Sequence, residues 1–192
     1  MRSRGIMVVF AAVAIAQVAV PVRMIAQREA ILRLGQAYKF RTAPVDPYDA
    51  FRGRFVWLGY EQNHARWREE TEPNLRSTAY ARVEEGQDGF AVIREVGLRP
   101  PTSGDYVRVE QIHRGWGTNS ASVYFTLPFD RYYMEETAAP RAERAYWEHL
   151  NRRGQTNHNT YAVVRIKDGN AALENLYVDD QPIAEFLRHQ PK

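Results

Sequence analysis

The stretch MIAQREAILRLGQAYKFR, residues 24–41, changes its period at Gly35. Before the glycine, apolar Met24, Ile31 and Leu34 and polar Gln27, Arg28 and Arg33 follow a helical spacing. From Ala37 onward, apolar and polar residues alternate, as in a half-buried strand. Gly35 therefore reads as the C-cap of a helix. It divides the chain into residues 1–35, a helix with its extension, and residues 36–192, a β-rich body.

Toward the N-terminus, the chain runs apolar from Ile6 to Val22, a 17-residue run broken by Gln17 and Pro21. A hydrocarbon span needs about 20 residues, with about 17 the lower limit. Arg4 and Arg23 flank the run, and their long side chains can reach outward to extend it. Three readings compete: a retained transmembrane anchor, a cleaved signal peptide, or a buried helix. Ala14-Ile15-Ala16 is an A-x-A tripeptide and supports cleavage. The apolar run continues past it, which favours the anchor. The short flank before the span and the β-rich body after it predict an N-terminus in the cytoplasm and a body outside.

Charge follows the same division. Residues 1–35 carry five arginines (Arg2, Arg4, Arg23, Arg28 and Arg33) against Glu29 alone, a net +4. The remainder holds 21 basic and 22 acidic residues, so the chain's +3 comes from its first segment. The body has no sustained basic stripe, and a nucleic-acid partner is not expected. With no cysteine, a disulfide framework, a thiolate zinc site and a cysteine nucleophile are excluded.

Beyond Gly35, segments of period two dominate: 37–41, 54–61, 78–84, 89–96, 106–113, 122–127, 160–166 and 171–178. Residues 84–89 (EEGQDG) join two of them. The Asp168-Gly169 pair is a strong hairpin signal. One long helix is predicted near 140–153, with Ala142, Ala145, Tyr146 and Leu150 on one side; residues 183–188 suggest a further turn. The fold class is α+β: an N-terminal transmembrane helix followed by mostly antiparallel strands with one long helix.

The segment Pro44–Glu61, PVDPYDAFRGRFVWLGYE, concentrates the candidate functional residues. Pro47 suits the first position of a helical turn, with Asp46 as its N-cap, Asp49 adding negative charge there, and Gly53 closing it. The competing reading makes Asp46 and Asp49 a carboxylate pair for acid–base or metal chemistry. Two carboxylates without a neighbouring histidine make a poor metal site, and Arg52 is available to pair with either. In the strand that follows, Phe55, Trp57 and Gly59 face one side and Val56, Leu58 and Tyr60 the other. Both faces are mostly apolar, which predicts a central strand or one lying beneath the anchor.

These residues resemble the membrane-anchored family named for its G-D-Y-x-x-L-x-Y motif. The resemblance rests on Pro44, Val45, Asp46, Pro47, Asp49, Arg52, Gly53, Val56, Leu58 and Tyr60. The motif's Asp is Arg54 here, and its first Tyr is Phe55. Residues 123–136 and 163–183 resemble later segments of the family, so the likeness runs from about Ala30 to Ile183. The resemblance implies a membrane protein whose relatives occur beside, or fused with, multi-pass membrane proteins. It implies no activity, and the motif residues Pro44, Asp46, Pro47, Asp49, Arg52, Gly53, Leu58 and Tyr60 carry a structural or binding role.

Other chemistry is weakly signalled. His64, His113, His149, His158 and His189 lack metal-ligand spacing, and no serine has a nucleophile-elbow context. No glycine-rich phosphate loop exists. Tyr124, Phe125, Phe129, Tyr132 and Tyr133 cluster either as core or as a patch for a protein, a glycan or a membrane surface. No catalytic residue, metal or cofactor is expected. The expected role is a non-enzymatic accessory module on a bacterial cytoplasmic membrane, its body outside, in contact with lipid and docking on a polytopic partner. The alternatives are a glycan- or ligand-binding envelope module and a hydrolase with a dispersed site.

Overall fold

A computed structural model describes residues 2–43, 55–71, 78–114, 122–135, 138–150 and 160–189. Helix α1 runs Arg2–Leu34 without a break. Its window of highest hydropathy is entirely unburied, and it is long and apolar enough to cross a membrane. Only its last turns meet the body. Ile31 is buried, Met24 and Leu34 are exposed, and α1 packs against strands β10 (Thr160–Lys167) and β11 (Asn170–Val178).

Gly35 ends the helix, its amide donating to the Ile31 carbonyl at 2.8 Å. A Cβ at this position would lie 2.5 Å from the Ile31 oxygen and 3.0 Å from the Ile166 oxygen. Glycine is required here because two backbones pass within contact distance.

The body has three strand assemblies. The first is a five-stranded sheet ordered β12-β11-β10-β1-β3, with β1 at Gln36–Ala43, β3 at Gly59–Tyr60 and β12 at Gln181–Pro182. Its pairs are antiparallel, and β1 meets β10 from Gln36↔Ile166 to Arg41↔Tyr161. The second is a closed barrel of β4 (His64–Trp67), β6 (Ala91–Gly97), β5 (Ala79–Glu85), β7 (Asp105–Arg114) and β8 (Ser122–Thr126). It closes through a parallel β4–β6 pair; its other pairs are antiparallel. The third is a two-stranded ribbon of β2 (Phe55–Trp57) and β9 (Arg131–Tyr133). Helix α2 (Ala139–Leu150) packs on β2, and the single turn α3 (Ile183–Phe186) on β11.

Sheet and barrel share one core. Phe40, Tyr60 and Phe129 form an aromatic centre with ring centroids 5.0–6.0 Å apart. Val83, Val107, Val109 and Ile112 fill the barrel side; Ala142, Ala145 and Tyr146 bring in α2. The β10–β11 hairpin clasps the two parts. Its Asp168-Gly169 turn has φ of +51° and +77°, as a two-residue hairpin turn demands. The Gly169 carbonyl accepts the Arg108 amide at 3.0 Å, so the hairpin tip docks on β7.

The α+β architecture and its antiparallel body agree with the expectation, as do seven of the eight strand segments to within a few residues; the eighth, 54–61, is split into β2 and β3. Three short strands, β4, β9 and β12, and the barrel closure were not anticipated. One expectation is corrected. Of the two readings of 54–61, the central strand is overturned: among the described residues β2 pairs only with β9, and β3 lies at the edge of the five-stranded sheet. The chain changes partners at Leu58, whose amide donates to the Asp130 carbonyl at 2.8 Å.

Candidate functional site

The alternation across 55–60 positions the most unusual surface of the body. Val56, Leu58 and Tyr60 point inward and are buried. The Tyr60 hydroxyl donates to the Phe129 carbonyl at 2.8 Å, and burial raises its pKa well above the ordinary phenol value. Leu58 and Tyr60, the two motif residues among the described positions, thus fasten β3 to the turn that leads into β9. They act as joints. Pro44, Asp46, Pro47, Asp49, Arg52 and Gly53 lie outside the described residues.

The opposite face is aromatic and open. Phe55 packs on Trp57 at 6.0 Å and on Tyr133 of the facing strand at 5.6 Å. Trp57 is 39% exposed and Tyr133 64%. The Arg131 guanidinium lies 5.0 Å from the Trp57 ring and 5.4 Å from the Phe55 ring, within cation–π range. Asp130 sits beside Arg131 at 3.8 Å. The other face of this strand is the core, so the outward face is the one that carries the exposed Trp57 and Tyr133 rings.

Two clefts flank the ribbon. One of about 390 Å³ runs from Trp57 past Asn63, Gln111, Thr126 and Asp130 to Arg131. Gln111 has a φ of +51° at a bulge in β7, and its side-chain oxygen accepts the Thr126 hydroxyl at 3.1 Å. The other, of about 190 Å³, brings Arg28 of α1 together with Arg131, Tyr133 and Asp130. The aromatic ribbon therefore stands beside the base of the apolar helix. A larger cavity of about 510 Å³ lies between α2 and α3, lined by Tyr132, Met134, Glu135, Arg141 and Arg188. Its Arg141 guanidinium donates to the Leu187 carbonyl at 3.0 Å.

The expected aromatic cluster at 124–133 is divided by strand alternation. Phe125 and Phe129 are buried in the core. Tyr132 is half-buried, and its hydroxyl donates to Asn175 at 3.0 Å. Tyr133 joins the ribbon. Tyr124 lies on the barrel exterior between two histidines, 5.5 Å from His64 and 5.7 Å from His113, the latter ring stacked at 13°. The five residues do not make one patch. Among the described residues, no three His, Asp or Glu side chains gather as metal ligands.

Sequence reasoning placed Phe55 and Trp57 on the same side of their strand but missed that this side is uncovered. It also missed Arg131 and the His64–Tyr124–His113 triplet. The partner strand of residues 55–57 decides the first, and cross-strand register decides the second. Neither is written in local spacing.

Fold and site together define a protein with a long, largely exposed apolar helix, a sheet-and-barrel head and an aromatic ribbon at their junction. A family model described as GDYXXLXY protein matches residues 17–176, and the chain belongs to that family. The match runs from Gln17, inside α1, to Leu176, inside β11. No curated protein and no solved structure matches the chain.

Proposed function

We propose that this protein is a membrane-anchored, non-enzymatic accessory module that docks on a membrane-spanning partner through its helix. The membrane is taken to be a bacterial cytoplasmic membrane, with the head on the outer side. Two features support retention of α1. The helix runs unbroken past Ala14–Ala16, and its final turn is built into the head through Ile31 and Gly35.

The observation that carries the docking is Gln17. It lies near the middle of the apolar stretch, exposed, and its amide has no partner among the described residues. Pro21, four residues on, has no N–H to give to the Gln17 carbonyl. In a spanning α1, that side-chain amide and a backbone carbonyl that Pro21 cannot serve lie at one point within hydrocarbon. Such groups are satisfied by a neighbouring helix or by buried water, and intramembrane polar side chains face a bundle interior.

Affinity capture of the full chain from native membranes in mild detergent, with quantitative mass spectrometry, tests this reading. A specific multi-span protein is expected with the wild type and is expected to be lost with Gln17→Leu, which stays in the membrane. Equal enrichment with both chains, or self-association alone, would overturn it.

A second reading has one observation behind it. The 390 Å³ cleft joins the Trp57 ring to amide, hydroxyl and charged groups, with a strained Gln111 at its wall. Sugar-binding sites need that combination of a stacking face and convergent polar groups. Binding of soluble envelope glycan fragments that Trp57→Ala abolishes would favour it over docking.

A further inference from the structure

We infer that Phe55, Trp57, Tyr133 and Arg131 form an interfacial clamp on an anionic bilayer and hold the head against the membrane beside its own anchor. The inference rests on the reading of α1 as a retained span.

The argument is one of length. From Ile6 to Ile25, α1 presents exposed apolar side chains, with Gln17 and Arg23 as the long polar exceptions. At 1.5 Å per residue those 20 positions cover about 30 Å, the thickness of the hydrocarbon layer. Arg28 lies three residues further, at about 4.5 Å, and so falls among the headgroups. Arg28 shares its cleft with Tyr133 and Arg131. The ribbon is thereby held at headgroup depth by the same helix that crosses the bilayer.

The chemistry of the ribbon fits that depth. Trp and Tyr concentrate at membrane–water boundaries, where an apolar ring and a polar tip are both accommodated. Trp57 and Tyr133 are exposed aromatic side chains, and Phe55 lies between them. Arg28 and Arg131 face one carboxylate, Asp130, in their cleft, leaving positive charge for lipid phosphate. A protein partner would also cover aromatic rings; continuity with the span singles out lipid.

The chain has no cysteine, so one introduced cysteine is a unique attachment point for a fluorophore. Full-length Tyr133→Cys, Trp57→Cys, Val13→Cys and Ser103→Cys are labelled and reconstituted into vesicles of phosphatidylcholine and phosphatidylglycerol with no other protein. Quenchers are placed on the headgroup or near the acyl-chain ends. The Val13 label is expected to respond to the chain-end quencher. Labels at 133 and 57 are expected to respond to the headgroup quencher, and the label at Ser103, on an exposed barrel loop, to neither. Thermal melting of each labelled chain checks that the head is folded. If the Val13 label is quenched while those at 133 and 57 stay in water, the clamp is wrong and the anchor stands. If the Val13 label is also in water, the anchor fails and the clamp falls with it.

Discussion

Tyr60 shows how one residue carries the motif's meaning. Its ring completes the Phe40–Phe129 centre, and its hydroxyl satisfies a buried carbonyl. Tyr60→Phe keeps the ring and strands that carbonyl, so it is expected to lower stability by about 1–3 kcal/mol. Urea unfolding followed by tryptophan fluorescence measures this, and an unchanged midpoint would refute the role. Phe55, where the family's motif has tyrosine, tells the complementary story. Its ring packs on Trp57 and Tyr133 at the surface, where a ring is what the packing uses. Parity along this strand was legible in the sequence, because a two-residue period assigns sides. Exposure was not, because it depends on what covers each side.

Among the elements, the β10–β11 hairpin was the most legible and is the most constrained. An Asp-Gly pair between alternating strands announces it. Its docking on the barrel could not be read locally. A Cβ at Gly169 would lie 2.5 Å from the Tyr106 ring, and the residue already holds a φ of +77°. Gly169→Ala is expected to cost about 2–4 kcal/mol, from left-handed backbone strain and displacement of the ring. Thermal melting checks it, and a loss well below that range would show that the tip is not clamped.

The turn between β5 and β6 makes a second tie between barrel and sheet. The Phe90 amide and the Arg41 guanidinium, each at 3.2 Å, donate to the Asp88 carboxylate. Arg41 also lies 3.7 Å over the Phe90 ring. The backbone hydrogen bond first, then the Arg41 contact, hold the Asp88 pKa below the ordinary carboxylate value. A lowered folded-state pKa means stability that is present above the unfolded value and lost as pH falls through the folded one. Wild type is therefore expected to exceed Asp88→Asn in stability at neutral pH. The gap should close as pH drops below the usual carboxylate range. A gap independent of pH in denaturant titrations would count against the tie.

At the scale of the whole molecule, the sequence displayed the long helix, the alternating strands and the α+β class. It concealed the barrel. In β4, only Ala65 and Trp67 turn inward across four residues, too few to register as a pattern. The parallel β4–β6 closure is a long-range pairing that local alternation does not encode. The same limit applies to the site: the ribbon exists because β9 meets β2, two segments far apart in the chain.

The placement of β1 bears on the order in which the protein is made. Strand β1 follows α1 directly, yet its chief partner is β10, near the other end of the chain. A ribosome delivers the apolar helix and the first strand long before Thr160 emerges. On the proposed reading of α1 as a retained span, the chain enters the bilayer while β1 still lacks its neighbour, and an unpaired strand edge invites misassociation. Release from that exposure comes only with the closing hairpin, so chains shortened ahead of it are expected to reach the membrane and be degraded there.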